Sequence, residues 1–316
     1  MTEDAGQQGR CTTVHVIVTC ANRKSYPIPT WLQLGQVPGD TPVRRGRRWI
    51  FRLARTEIVP KVAAVELYAG EHWSVVRGFP ALHQSGEVIR LWACSAGYGL
   101  IPAEAPVKPY HATLTPGQAD SVPGRAESWW SLLSEWEGPA PEHPRTIRAL
   151  VTAEPDAVFM FLLSKSYLSA CRADIASARE RITDPDRLFI VSAGARPEGD
   201  LAISMVPADA RLQAPFSGTR RALNARIGAN LLAEGIRGRD EAAAYLARLL
   251  AVQPPIPRYD RKKQSDREIL DLIANRLAQA PTTSAHRLLR EFRDAGLACE
   301  QHRFSRLYRE VVEATL

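Results

Sequence analysis

Cysteine is scarce in this chain of 316 residues: it has five cysteines, and no two of them form a Cys-x-x-Cys pair. An odd number without that spacing argues against a disulfide framework and against a zinc ribbon. Cys20 and Cys94 each follow an apolar segment. We therefore expect them to be buried free thiols that lie close together where two strands end.

Long apolar runs and several enzyme motifs are also absent. No run reaches the length of a membrane span, and the chain does not begin with a basic segment followed by an apolar one. We expect a cytoplasmic protein that has no membrane partner. The chain has no P-loop and no GxGxxG, HExxH or GxSxG motif. This argues against nucleotide hydrolysis, dinucleotide redox chemistry, zinc peptidases and serine hydrolases.

Basic residues outnumber acidic ones, with 41 Lys plus Arg against 34 Asp plus Glu and a net charge of +7. Most of the basic residues are arginine, which favours bidentate contacts to phosphate. Two interpretations remain open on charge alone. The surface is an ordinary solvated basic surface, or it binds a polyanion, with nucleic acid the first candidate.

The first two thirds of the chain alternate between apolar segments and amphipathic ones. Apolar segments that predict strands cover residues 13–20, 87–94, 157–163 and 188–191. Helices are predicted near 47–56, 71–83, 125–137 and 165–182. This alternation predicts an α/β domain, with a parallel sheet between two layers of helices. Trp129, Trp130 and Trp136 are interpreted as core packing.

Composition changes near residue 215, where the chain becomes rich in Ala, Leu and Arg. We predict a disordered N-terminus over 1–12, an α/β domain over 13–215 and a helical region over 216–316. Helices are predicted in that last region at 219–234, 239–252, 265–279, 283–295 and 300–315. Asp266 and Ser284 suit N-cap positions, and Gly296 suits a helix C-terminus.

The last two predicted helices each carry a row of arginines beside an apolar face. Two short helices joined by a tight turn resemble a helix-turn-helix arrangement. We expect the arginines of these rows to contact DNA, namely Arg287, Arg290, Arg303 and Arg306. The alternative is a solvated helical bundle that caps the main domain.

Two polar loops directly follow strands, at residues 19–25 and 94–100. In open α/β sheets, ligands bind where such loops converge, at the carboxyl ends of the strands. In the second loop, Tyr98 stands between Gly97 and Gly99, which allow close approach of a ligand base to the Tyr98 ring. The alternative is a tight turn with an exposed tyrosine.

A resemblance to a known family rests on four motifs in a fixed order. They are the loop Cys20-x-x-x-Lys24 and the segments ELYAGE (66–71), SAGYGL (95–100) and PYHATL (109–114). The set resembles a family with a uracil-DNA-glycosylase-like domain, related to the accessory domain of archaeosine tRNA-guanine transglycosylases and to YaaA-type proteins. The resemblance covers roughly residues 13–205. With its helical C-terminus the chain is also similar to antiphage DNA glycosylases.

This resemblance implies a hydrolase that flips a modified base out of double-stranded phage DNA and excises it, leaving an abasic site in antiviral defence. The base it implies is a hypermodified one such as glucosylated hydroxymethylcytosine. The reaction requires a group that positions water, donors toward the leaving base and cations on the flanking phosphates. It requires no metal and no organic cofactor.

By resemblance, Asn22 is the candidate for positioning water, although it also suits a local turn. His111 is a candidate donor or acid–base group, and Asp120 stabilises the oxocarbenium or activates water. Alternatively, His111 is structural and Asp120 caps the helix near 125. Ser95, Tyr98 and Tyr110 are the candidate base pocket.

Arg23, Lys24 and Arg196 are the candidate phosphate contacts, or else surface charges. Attack by the Lys24 amine on the anomeric carbon is a further option, for which nothing in the sequence indicates a lowered pKa. Two other functions stay open for the chain as a whole. One is a non-catalytic DNA-binding stress or defence protein, and the other is a transglycosylase accessory module acting on RNA.

Overall fold

The computed structural model describes residues 11–55, 59–256 and 260–315. Most of the segment predicted to be disordered, residues 1–10, lies outside the described residues, and Thr12 already begins the first strand. The chain divides into two compact units, Met1–Pro254 and Pro255–Leu316. In the part of the chain that the structure describes, no helix is long and apolar enough to cross a membrane.

Among the described residues, five strands form the main sheet of the first unit, and four short strands form two small sheets. The strands are β1 (Thr12–Thr19), β2 (Val62–Ala63), β3 (Glu87–Ser95), β4 (Gly99–Pro102), β5 (Pro106–Val107), β6 (Val158–Leu162), β7 (Leu188–Val191), β8 (Lys262–Lys263) and β9 (Leu297–Ala298). The four predicted strands correspond to β1, β3, β6 and β7 within one residue at each end. Those four predictions are confirmed.

Nine α-helices belong to the described part of the first unit and three to that of the second. They are α1 (Pro42–Ala54), α2 (Ala64–Leu67), α3 (Glu71–Val76), α4 (Ala126–Ser134), α5 (Ile147–Ala153), α6 (Lys165–Arg179), α7 (Gln213–Phe216), α8 (Leu223–Ala233), α9 (Arg239–Ala251), α10 (Asp266–Gln279), α11 (Ala285–Asp294) and α12 (Gln301–Thr315). The helix predicted at 47–56 begins earlier, at Pro42. The Thr41 side chain accepts a hydrogen bond from Arg44 N, and proline suits the first helical position.

The main sheet has the order β4-β3-β1-β6-β7. β1 pairs in parallel with β3 and β6, β6 pairs in parallel with β7, and β4 joins β3 as an antiparallel edge strand. Residues 14–18 of β1 are buried on both faces of the sheet, as is typical of strands covered by helices on each side. The predicted α/β class is confirmed. The sheet was predicted to be parallel and is mostly so, but the antiparallel edge strand β4 was not predicted.

The predicted domain boundary near residue 215 is wrong. α8 packs on β6 and on α3, and α9 contacts the turn that precedes β7. Ala225, Ile227 and Leu231 of α8 are buried in the same core as β1. Because these apolar faces are covered by the sheet domain, the first unit continues to Pro254.

The second unit consists of α10, α11 and α12, with a parallel pairing of β8 and β9. It has its own core, formed by Ile269, Ile273, Leu288, Leu289, Phe292, Cys299, Phe304 and Leu307. The Ser284 N-cap is confirmed, and Gly296 follows Ala295, the C-cap residue of α11, with a φ of 76°. The N-cap of α10 is Ser265 rather than Asp266, because Ser265 and Glu268 form a capping box.

A histidine lies in the middle of the sheet on β1. The ring of the buried His15 stacks on Phe159 at a centroid distance of 4.9 Å, and its Nδ1 accepts a hydrogen bond from Trp92 Nε1 at 2.9 Å. Burial lowers the pKa of His15 to about 4, while nearby Glu154 acts in the opposite direction. The imidazole is therefore neutral at pH 7.

We expect acid to destabilise the fold through His15. The pKa of His15 in the folded state lies below the value near 6.5 of an unfolded chain, so the unfolded state binds a proton that the folded state excludes. The neutral state of His15 therefore contributes on the order of 3 kcal/mol to the free energy of unfolding. This contribution is complete above pH 6.5 and is lost as the pH falls toward 4. Urea unfolding at steps between pH 7 and 4 measures it. A His15→Gln variant should show a shallower pH dependence, and an unchanged one would contradict the assignment.

Candidate functional site

A cleft of about 800 Å³ opens at the carboxyl ends of β1 and β6. The chain runs from β1 to β3 on one side of the sheet and then returns to β6 on the other side of β1. Ligands of open α/β sheets bind at such a switch point, and the volume is within the usual range for ligand sites. The cleft is lined from five segments, at residues 19–23, 69–72, 113–118, 164–167 and 219–224.

A smaller cavity of about 500 Å³ lies at the opposite edge of the sheet, where β1 and β6 begin. Its lining includes the carboxylates of Glu154, Asp156 and Asp184. Ligands of parallel sheets bind at the carboxyl ends of the strands rather than at the amino ends. We therefore take the larger cleft as the candidate site.

The charged groups that line the cleft are suited to binding an anion. Arg23 and Arg221 both line it and are exposed, and neither forms an ion pair with another described residue. The carboxylate in the lining, Glu71, accepts hydrogen bonds from Arg226 at 2.6 Å and from Thr219 N at 3.2 Å. The hydrogen bonds from Thr219 and Arg226 lower the pKa of the Glu71 carboxyl. This carboxylate is therefore ionised, and its negative charge is balanced by the Arg226 guanidinium.

Asn22 lies in the lining, on the loop that follows β1. Backbone hydrogen bonds hold this loop, from Ser25 N to Leu67 O at 2.9 Å and from Ala69 N to Arg23 O at 3.0 Å. The Asn22 side chain is exposed to the cleft and forms no hydrogen bond within the described ranges. The loop thus keeps its shape without the Asn22 amide, which remains available to a ligand or a water molecule.

Lys24 points back beneath the same loop. Its Nζ donates to Ala21 O at 2.5 Å and to Asn22 O at 3.3 Å. The amine lies over the ring of Tyr110, 4.4 Å from the centroid, and 5.3 Å from the centroid of Tyr68. Burial lowers the pKa of Lys24 to about 8, while nearby Cys20 acts in the opposite direction. The sequence contained no sign of this lowered pKa.

The prediction that Ser95, Tyr98 and Tyr110 form an accessible base pocket is wrong. All three side chains are buried, with Tyr98 only 1% exposed. Ser95 Oγ accepts hydrogen bonds from Gly97 N at 3.2 Å and Tyr98 N at 3.0 Å, which closes the turn between β3 and β4. A Cβ at Gly97 would lie 2.4 Å from the Tyr110 ring. The glycine therefore allows close approach of Tyr110, not of a base.

These buried groups form a hydrogen-bonded network under the cleft. Tyr110 Oη lies 2.7 Å from Ser95 Oγ and 3.0 Å from Tyr68 Oη. Cys20 Sγ lies 3.1 Å from Tyr167 Oη, and both of these residues line the cleft. As predicted, Cys20 and Cys94 are buried free thiols, and Cys20 N donates to Cys94 O at 3.0 Å. The network supports the floor of the site.

His111 and Asp120 come together beside the cleft, but neither belongs to its lining. His111 Nδ1 lies 3.7 Å from Asp120 Oδ2, and the His111 side chain is 43% exposed. Burial and the charge of Lys24 lower the pKa of His111, while Asp120 raises it. Asp120 Oδ1 accepts a hydrogen bond from Gly35 N at 2.8 Å. The alternative in which Asp120 caps α4 is wrong, because Arg125 occupies that N-cap.

The remaining predicted DNA contacts lie on loops and on the second unit. Arg196 is exposed in the loop after β7, at the same edge of the sheet as the cleft. Arg303 and Arg306 both donate to Asp266, at 2.7 and 2.8 Å, and Arg287 donates to Glu291 at 3.3 Å. Exposed ion pairs of this kind contribute little to stability.

Arg290 has no ion-pair partner in the described part of the second unit and is exposed. The arginine row is therefore only partly engaged by carboxylates within the unit. The DNA contacts predicted for this unit remain predictions, namely Arg287, Arg290, Arg303 and Arg306.

Sequence reasoning missed several residues of the cleft. They are His72, Ser164, Tyr167, Thr219, Arg221 and Asn224. Asn224 connects two strand ends, because its Nδ2 donates to Leu163 O and its Oδ1 accepts from Ala193 N, both at 2.9 Å. Ser164 and Tyr167 follow the apolar run of β6, which is the same signal that identified Asn22. Burial lowers the pKa of His72 to about 4, while a hydrogen bond with the Thr19 backbone acts in the opposite direction.

Comparison with protein-family models, with curated proteins and with solved structures finds no match for this chain. Among the described residues, no group of three or more His, Cys, Asp or Glu side chains is arranged to hold a metal ion. The geometry and charge of the cleft are therefore the features from which a function can be inferred.

Proposed function

We propose that the chain is a DNA glycosylase that excises a modified base and leaves an abasic site. The observation that carries this proposal is the cleft at the strand switch point, where the amide of Asn22 and the guanidinium groups of Arg23 and Arg221 line one cavity. A neutral polar group next to unpaired cations suits a flipped nucleotide, whose phosphates need positive charge.

Each of these residues has a separate role in the proposed reaction. The bond between base and sugar breaks through a state with positive charge on the sugar and negative charge on the leaving base. The Asn22 amide holds the water that adds to C1′, which is the kind of fixed dipole that stabilises developing charge. Arg23 and Arg221 bind the phosphates on either side of the flipped nucleotide and position the sugar over Asn22.

The proposed fold of the first unit is the three-layer type of uracil-DNA glycosylases. The parallel β1, β3, β6 and β7 and the position of the cleft support this assignment. The second unit would add affinity for DNA through α11 and α12, with the exposed Arg290 as its first contact. Double-stranded phage DNA is the proposed substrate, and glucosylated hydroxymethylcytosine is the first base to test.

The test is release of free base from defined duplexes. The full chain is incubated, without added metal, with DNA that carries cytosine, uracil, hydroxymethylcytosine or its glucosylated form, and free base and alkali-labile sites are measured. We expect release from one modified DNA and none from the cytosine duplex. Release from none of the four, with binding intact, would reject the glycosylase.

A non-catalytic DNA-binding protein is the second candidate, and one observation favours it. The side chains predicted to receive the base, Ser95, Tyr98 and Tyr110, are buried. The hydroxyls of Ser95 and Tyr110 are hydrogen-bonded to each other, and the Tyr98 hydroxyl is hydrogen-bonded to the backbone of Lys108. A protein of this kind would bind DNA with strong salt dependence and without base release. The same set of duplexes distinguishes the two functions.

A further inference from the structure

The helix α1 carries five arginines and no carboxylate, and one of its faces is fixed against the core. Trp49 and Leu53 are buried on that face, and Trp49 Nε1 donates a hydrogen bond to Gly97 O at 2.9 Å. Gly46 packs so closely against Leu132 of α4 that a Cβ would not fit between them. The opposite face of α1 is therefore turned to solvent.

The arginines of α1 are balanced by little negative charge. Arg44 forms an exposed ion pair with Asp40 at 2.9 Å. Arg47 is exposed and forms no ion pair with another described residue. The other three donate hydrogen bonds to neutral backbone carbonyl groups of the preceding loop, namely Arg45, Arg48 and Arg52. The helix thus presents positive charge that a polyanion would neutralise.

A phenylalanine ring lies in the middle of the solvent-facing side of α1. Phe51 is 62% exposed, although side chains of this type are usually buried. Arg47 and Arg48 stand four and three positions before it, so they flank it on the same face of the helix. The Arg55 guanidinium lies 5.7 Å from the centroid of the Phe51 ring. An accessible aromatic ring is therefore surrounded by cations.

This face of α1 begins beside one wall of the cleft. Residues 113–118 contribute to that wall. The same segment continues to Gly124, where a Cβ would lie 3.0 Å from Pro42, the first residue of α1. Phe51 follows nine residues later, about 14 Å along the helix axis. About four nucleotides of a stacked strand cover that length, so nucleotides that flank the cleft can reach the ring.

The chemistry of this surface favours unpaired nucleotides over other partners. Proteins that bind single strands combine cations for the phosphates with aromatic rings on which bases stack. In a duplex each base is already stacked between its neighbours, so a phenyl ring would add nothing. An apolar protein partner would have to take the guanidinium groups out of water without a counter-ion, which is unfavourable.

We propose that the exposed face of α1 binds single-stranded DNA, with a base stacked on Phe51 and phosphates on Arg47 and Arg48. The choice of DNA rests on the proposed function, under which these nucleotides flank the base in the cleft. The proposal adds to the glycosylase a preference for duplexes that have an unpaired flank. Binding to this face requires no base excision.

The test compares a single strand with a blunt duplex of the same sequence. Fluorescence anisotropy is measured with the full chain and a labelled oligonucleotide of about 16 nucleotides. Phe51→Ala should weaken binding of the single strand at least about fivefold, the lower end of what base–aromatic stacking contributes. It should leave binding of the duplex unchanged. Because the variant removes no charge, the slope of log K against log salt should stay the same.

Two further variants separate stacking from charge. Phe51→Trp keeps an aromatic surface and should bind the single strand as the wild type does. Arg47→Gln removes one phosphate contact and should lower the salt slope for the single strand by about 0.7. Both side chains are exposed, so these substitutions leave the core intact.

Val252→Ala is the matched control for the loss of an exposed apolar side chain. Val252 is 77% exposed at the end of α9, in the same unit as α1. The variant should bind the single strand and the duplex as the wild type does. A loss as large as that of Phe51→Ala would overturn the inference.

Two other results would also overturn it. One is equal affinity of Phe51→Ala and the wild type for the single strand. The other is an equal loss on the single strand and on the duplex, because a base already stacked in a duplex cannot stack on Phe51.

Base release measured in parallel separates this inference from the proposed function. Release from a modified duplex, without an effect of Phe51→Ala on single-strand binding, leaves the glycosylase and removes the α1 surface. Single-strand binding that depends on Phe51, without release from any duplex, supports the α1 surface and removes the glycosylase.

Discussion

Replacing Asn22 with alanine should lower the rate of base release about 10²- to 10³-fold, the loss seen when a fixed polar group is removed from a charge-stabilising site. The affinity for DNA should change little, because the phosphates are held by Arg23 and Arg221. The fold should also be unaffected, since the Asn22 side chain forms no hydrogen bond with any described residue. Single-turnover base release and equilibrium DNA binding measure the two effects separately.

Asn275→Ala is the matched control. Asn275 is an exposed asparagine on α10, so the same atoms are removed far from β1 in sequence and in the other unit. It should keep wild-type rates. Equal rates for Asn22→Ala and Asn275→Ala would show that Asn22 does not position the water, whatever the affinity of the two variants for DNA.

The position of Asn22 in the cleft was predictable, because the signal for it is local. The β-branched run of residues 14–18 predicts a buried strand, and a polar loop after such a strand lies at the edge where ligands bind. The same local signal predicted β3, β6 and β7. It failed for β4, because Gly97 and Gly99 indicate a loop although the chain turns there and returns as an edge strand.

The roles of Tyr98 and Tyr110 could not be predicted, because burial depends on distant segments. Tyr110 is covered by groups 15 to 90 positions away, among them Tyr68, Ser95 and Cys20. An aromatic ring beside two glycines is equally compatible with a base platform and with a packed turn. The lowered pKa of Lys24 has the same origin, since it arises from packing against Tyr68 and Tyr110.

Arg221 was missed for a different reason. The change in composition near residue 215 predicted a separate helical region, and this placed residues 219–224 outside the α/β domain. In the structure, the buried face of α8 belongs to the core of the sheet, and the residues before it line the cleft. Amino-acid composition can predict that a segment forms a helix, but it does not show which part of the protein the apolar face of that helix packs against.

Removing the two cleft arginines should weaken DNA binding with a defined salt dependence. Each phosphate contact contributes about 0.9 to the slope of log K against log salt, so Arg23→Gln and Arg221→Gln should each lower the slope by about that amount. Near 0.15 M salt this corresponds to about fivefold weaker binding for each variant and about thirtyfold for both together. Fluorescence anisotropy with one duplex between 0.05 and 0.5 M salt (about tenfold in concentration) measures the slopes.

Arg148→Gln removes the same charge from an exposed position on α5, outside the lining of the cleft. If long-range attraction by the net charge of +7 held the DNA, this control would lower the slope as much as Arg221→Gln does. Direct contact predicts a larger loss for Arg221→Gln than for Arg148→Gln throughout the measured range, with the curves of variant and wild type converging near 1 M salt. Because phosphate contacts carry no sequence information, the loss should be the same for modified and unmodified duplexes. A loss confined to one modified base would instead place Arg221 against the base itself.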